Sequence, residues 1–154
     1  MFKFYVAALT FFSIIILTGC SEKHDFKYAY IDDNLTIVNE ENITPDTIEA
    51  LKMRNLEYWE YSSAANYEKS FEYELPYLKF LHHKDWYVGF HESDKKKYRL
   101  TIVKIEFDDK ESYLAHVVAR LEYKDKLIEL RHKWYNINGN WYHKYSPSYI
   151  PTID

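Results

Sequence analysis

An α+β fold is what the sequence predicts, on three observations: a capped amphipathic helix opening at Thr44, strict strand alternation over 113–123, and an Asn138-Gly139 hairpin signal near the end. Helices come first and a strand meander follows. The expected domain spans 44–154, with a long N-terminal helix and short helices packed on a curved antiparallel sheet.

In chain order, Thr44 supplies a helix cap, Pro45 suits the first helical position, and Asp46 meets the positive end of the helix dipole. Ile48, Leu51, Leu56, Trp59 and Ser63 then fall near one stripe of a 3.6-residue period, which predicts a helix to about Ala64. A second short helical pattern covers 67–73 and stops at Pro76. Leu78, Leu81, Trp86, Tyr87 and Phe90 suggest a third short helix or turn. After that, helical periodicity disappears.

The strands define one another's register. In 113–123 one face carries Tyr113, Ala115, Val117, Ala119, Leu121 and Tyr123, the face that turns inward. A tight turn around Lys124-Asp125 sets Leu121 opposite Ile128, Ala119 opposite Leu130, Val117 opposite His132 and Ala115 opposite Trp134. Asn138-Gly139 suits a two-residue turn because both positions need positive φ, and it pairs Asn136 with Trp141, Trp134 with His143 and His132 with Tyr145. The earlier strand, 98–107, buries Val103, Ile105 and Phe107 only if the loop at 108–112 is odd in length or bulged.

Residues 1–19 have the order of a secretory signal: Lys3, an apolar run from Phe4 to Leu17, and small residues before a cysteine. The run is shorter than the roughly 20 residues of a spanning helix. Leu17-Thr18-Gly19-Cys20 resembles the lipobox of bacterial lipoproteins. That resemblance implies diacylglycerylation of the Cys20 thiol, cleavage before it, and anchoring of the chain in the cell envelope through acyl chains, one of which is commonly palmitate. Ser21 in the next position implies sorting to the outer membrane. Two or more acyl chains anchor stably where one gives marginal binding.

Residues 20–43 are polar and read as a lipidated tether with one short strand at 27–31, pinned at Phe26, Tyr28 and Tyr30. Asn34 and Asn42 each lie in an Asn-x-Thr acceptor with an acid two residues before the Asn, which resembles the extended sequon of bacterial oligosaccharyltransferases. Both are candidate glycosylation sites.

Composition excludes several classes. The formal net charge of −4 argues against a nucleic-acid surface, and no nucleic-acid partner is expected. With one cysteine the chain has no internal disulfide, four-thiolate zinc site or iron–sulfur cluster. A hydrophobic content of 47% against 29% charged residues is that of a folded protein.

Asn55-Leu56-Glu57-Tyr58-Trp59, then Asn66-Tyr67-Glu68-Lys69-Ser70-Phe71-Glu72-Tyr73 and Pro76-Tyr77, resemble the opening helices of the NTF2-like (SnoaL, cystatin-like cone) superfamily. Trp134 to Trp141 around Asn138-Gly139 is similar to the hairpin that closes many such domains. Asn66 stands where the family more often has Asp. The resemblance covers about 45–145 and implies helices held in the concave side of a curved sheet, leaving a cone. Enzymes of the superfamily place an acid or His base and tyrosine donors inside it.

The strand registers turn Glu122 and Glu129 outward, so the last three strands offer no inward carboxylate. They offer His132 and His143, with Trp134, Trp141 and Tyr145 beside them; Trp59 from the helix and Val117 complete the expected lining. The expected function is binding of a small apolar ligand or an envelope protein without catalysis or cofactor. The alternative is a cone-pocket isomerase, dehydratase or hydrolase using His132 or His143. His82, His83, Asp85 and His91 lack metal-ligand spacing and are expected to face solvent, Lys95-Lys96-Lys97 to be a solvated loop, and the tyrosines at 58, 61, 73 and 77 to be mostly core packing.

Overall fold

The computed structural model describes residues 26–92, 97–123 and 126–145, Tyr123 by its backbone alone. The leader, Cys20, the 124–125 turn and Lys95-Lys96 lie outside the described residues.

The chain forms β1 (Ala29–Val38), α1 (Pro45–Ser63), α2 (Tyr67–Ser70), a 3-10 turn (Phe71–Tyr73), α3 (Pro76–Leu81), α4 (Lys84–Glu92), β2 (Arg99–Phe107), β3 (Leu114–Tyr123), β4 (Lys126–Ile137) and β5 (Asn140–Lys144). The five strands make one sheet in sequence order. It is mixed rather than antiparallel: β1 runs parallel to β2, and the other pairs are antiparallel.

α1 starts as its sequence dictates. Thr44 is extended and its side chain accepts from the Thr47 amide, with Pro45 following. It ends in a left-handed cap: Ala65 has φ 61°, its N–H bonds Ser62 O, and the Asn66 N–H bonds Tyr61 O. Ile48, Leu51, Leu56, Trp59 and Ser63 are all buried. Their apolar members pack with Leu100, Ile105, Val117, Trp134 and Trp141 in the main core between helix and sheet. Of the four tyrosines at 58, 61, 73 and 77, Tyr58 and Tyr73 are core, Tyr61 packs against it, and Tyr77 is exposed.

The two hairpins have the register that alternation and turn chemistry require. Leu121 faces Ile128, Ala119 Leu130, Val117 His132 and Ala115 Trp134. Asn136 faces Trp141 and Trp134 faces His143, around Asn138 and Gly139 at φ 53° and 84°. The pairing does not extend to His132 with Tyr145, because β5 ends at Lys144.

Five further expectations need correction. Val103 is not an inward core residue: the β2–β3 register shifts between Ile102 and Lys104, so Val103 is the extra residue of a bulge. Leu100 and Ile102 before it, and Ile105 and Phe107 after it, are fully buried. Residues 29–38 are an edge strand rather than a tether or a strand confined to 27–31. The Glu60 carboxylate in α1 accepts from the backbone amides of Lys27, Tyr28 and Ala29 at 2.7–3.1 Å, and Asn39 Nδ2 donates to Phe107 O, so both ends of β1 are tied down. Pro76 opens α3 rather than only stopping the preceding helix, and where a third short helix or turn is expected there are two helices, broken at extended His82. His91 is half-buried, not solvent-facing, stacked on Tyr67 at 5.0 Å.

Candidate functional site

The inward face of β4 and β5 meets α1 where Tyr58 and Trp59 project. His143, essentially without solvent exposure, lies 4.3 Å from the Tyr58 ring, and half-buried His132 packs edge-on to Trp59 at 4.8 Å. The histidines are hydrogen-bonded to each other, His132 Nδ1 to His143 Nε2 at 2.8 Å.

The other nitrogen of His143 ends on a group the strand registers could not supply. Glu74, fully buried, accepts from His143 Nδ1 at 2.8 Å through Oε1. Tyr87 OH donates to the same oxygen at 3.1 Å, and the Tyr145 amide donates to Oε2 at 3.0 Å. Glu74 follows the 3-10 turn in extended conformation, bridges to His143 in parallel fashion, and the next amide, Leu75, bonds His143 O. The segment is thereby stitched to the edge of β5.

These bonds set the tautomers. Glu74 accepts from His143 Nδ1–H; in the form with a single proton on that ring, its Nε2 accepts from His132 Nδ1–H and the lone pair of the chain's outer end sits on His132 Nε2. Burial, and then the neighbouring His143, hold the His132 pKa well below the usual histidine value, which keeps that lone pair free at neutral pH. Burial raises Tyr58 and Tyr87 far above the usual phenol value, with Glu74 adding to both, and Tyr145 goes up to about 12 for the same two reasons. Around Glu74 the tyrosines are therefore neutral phenols, not anions, and Tyr87 is the one whose hydroxyl donates to the carboxylate.

A second set of polar atoms has no partner among the described residues. Asn55 Nδ2 and Oδ1, Trp59 Nε1 and Ser63 Oγ are buried and unpaired, at positions i, i+4 and i+8 along the inward side of α1; Trp134 Nε1 on the sheet is likewise unpaired. Of the seven lining residues expected from sequence, Trp59, Val117, Trp134, Trp141 and His143 are buried together between α1 and the sheet, while His132 and Tyr145 are half-buried. Trp141 spends its indole N–H on Thr47 O at 3.2 Å.

Sequence reasoning missed Glu74 and Asn55. Glu74 sits in an aperiodic connector, and its one signal was indirect: an inward His143 needs an acceptor for its second nitrogen. Asn55 lies on the apolar stripe of α1, where its polarity was itself the signal. Glu122 and Glu129 are exposed, as the registers require. His82 stacks on Trp86 at 4.1 Å, and among the described residues no cluster of His, Cys, Asp and Glu could hold a metal ion. The chain matches no protein-family model, no curated protein and no solved structure.

Proposed function

We propose that this chain is a lipid-anchored protein of the bacterial envelope, held through acyl chains on Cys20, whose NTF2-like cone binds a small ligand between α1 and the sheet without transforming it. The observation that carries the reading is the row of unpaired polar atoms on Asn55, Trp59 and Ser63, joined by Trp134. An unsatisfied buried donor or acceptor costs about 1–3 kcal/mol, and several on one face of a helix call for a bound partner molecule, water or ligand. The chemistry fits a mostly apolar ligand carrying a carbonyl or hydroxyl, with aromatic rings for its body and indole N–H, amide and hydroxyl groups for its polar end.

The test is intact-protein and native mass spectrometry of the full chain extracted from its membrane. A co-purified small molecule lost in Asn55→Leu is the expected result; a bare protein whose melting temperature shifts with no carbonyl or hydroxyl compound overturns the ligand reading. In the same spectra the acyl mass should vanish in Cys20→Ala, leaving an uncleaved precursor. Unchanged lipid labelling in that variant overturns the anchor.

The Glu74–His143–His132 chain favours a second reading, a cone-pocket isomerase, dehydratase or hydrolase in which His132 Nε2 removes a proton and the chain behind it orients and polarises the ring. Every polar side-chain atom of Glu74 and His143 is already bonded within the protein, so His132 alone would touch substrate. Turnover abolished by His132→Gln in a folded protein would replace the binding reading with this one.

A further inference from the structure

Resting on the Cys20 anchor, we infer that the apolar patch formed by α3 and α4 lies on the bilayer surface and sets the orientation of the domain on its membrane. α3 buries none of its residues. Phe80 is 90% exposed, Leu81 62%, Tyr77 49% and, in α4, Trp86 43%. Trp86 is held rather than loose, stacked between His82 at 4.1 Å and Phe90 at 5.7 Å. Lys79 and Lys84 belong to the same two helices, Lys84 with its amine near Glu68 at 3.4 Å and Lys79 on the Glu72 carbonyl. Aromatic rings beside leucine are what the headgroup region of a membrane accepts, the rings and aliphatic carbons entering by about 5–10 Å.

The choice of a bilayer over another partner comes from where the chain enters the fold. The amides of Lys27, Tyr28 and Ala29 are fixed on Glu60, in the last turn of α1. α4 packs at that same end, Tyr87 against Phe71 and His91 against Tyr67, on the short α2 and the 3-10 turn that follow α1 directly. Cys20 precedes Phe26 by six positions, a reach of at most about 20 Å even when extended. An acylated Cys20 thus keeps this end of the domain against the membrane. Partitioning the patch then occurs at high effective concentration, so a modest intrinsic affinity is enough.

Trp86 is the natural reporter, because Trp59, Trp134 and Trp141 are buried. The full acylated chain is reconstituted into vesicles of phosphatidylethanolamine and phosphatidylglycerol, part of the lipid brominated near the headgroup, and tryptophan emission is compared with that in unbrominated vesicles. Bromine should quench a distinct fraction of the emission, the Trp86→Phe variant should lose that quenching, and Phe80→Glu combined with Leu81→Glu should reduce it several-fold with the melting temperature unchanged. Vesicle-bound, acylated protein without quenching overturns the docking and leaves the anchor standing, as does quenching indifferent to the Phe80 and Leu81 changes. A dimer by sedimentation that shields Trp86 from the lipid overturns it in favour of a second copy. Absence of the acyl mass overturns the anchor, and the docking falls with it.

Discussion

At the scale of single residues, the interior divides into tryptophans that fill space and a polar chain that links elements. Trp134 is fully buried against Tyr58 and His143, with ring centroids at 5.6 and 5.4 Å. Trp134→Ala should therefore cost about 3–5 kcal/mol in chemical denaturation, the usual loss for a buried large aromatic, whereas His132→Ala, at a half-buried site, should cost distinctly less. A neutral Trp134→Ala would mean that β4 does not face α1. Glu74 is the linchpin of the polar chain because three donors end on it. Glu74→Ala strands His143 Nδ1, the Tyr87 hydroxyl and the Tyr145 amide in a dry interior, for an expected loss of about 3–5 kcal/mol. Glu74→Gln keeps one acceptor oxygen and should lose less, about 1–3 kcal/mol. If the two variants unfold at the same denaturant concentration, the carboxylate is not what holds the 74–75 segment to β5.

At the scale of elements, two local features carry testable weight. The cap of α1 places Ala65 at φ 61°, a left-handed conformation that costs an alanine about 1 kcal/mol more than a glycine. Ala65→Gly should raise stability by somewhat under that amount, since glycine also loses more entropy on folding; destabilisation would show that Ala65 packing outweighs the strain. The second feature is the excursion in β1. Its register with β2 jumps between Ile31 and Thr36, and within the jump the Asn34 amide bonds Asp32 Oδ1 at 2.8 Å, an Asx turn that carries Asn34 to the surface. Asn42 is also exposed, in the turn before α1. In a host with an oligosaccharyltransferase, mass spectrometry should find glycopeptides at both sites that disappear in Asn34→Gln and Asn42→Gln. Bare peptides from such a host would show that the turn is exposed but not recognised.

At the scale of the whole molecule, burial of neutral imidazoles makes stability depend on pH. His91, beside Tyr67, Tyr87, Phe90 and Tyr145, has its pKa lowered to about 4 by burial and then by His143, against 6.5 when unfolded. His132 shifts in the same direction. Between those two values the unfolded chain binds more protons than the folded one, so stability is fully present above about pH 6.5 and falls as pH drops toward 4. The melting temperature should decline over that window, and His91→Phe should flatten part of the decline. A melting temperature that is level from pH 7 to 4 would place both rings in water.

The amino-acid sequence by itself determined whatever depends on neighbouring elements. The α1 start follows from Thr44-Pro45, the inward faces of β3, β4 and β5 from alternation, and the register of the last hairpin from Asn138-Gly139, because side-chain period and turn conformation act over a few residues. From these came the burial of Trp59, Val117, Trp134, Trp141 and His143. Tertiary structure alone decided the rest. β1 gains its place by pairing in parallel with β2 across a sequence gap in which all the helices lie, and a polar, weakly alternating strand announces no such partner. Val103 leaves the core because a bulge, invisible to periodicity, lets both halves of β2 face inward. Glu74 meets His143 across 69 positions: an acid in an irregular connector reads as surface until the fold brings it a histidine whose second nitrogen must be satisfied, and burial with a partner is a property of the assembled core rather than of either residue.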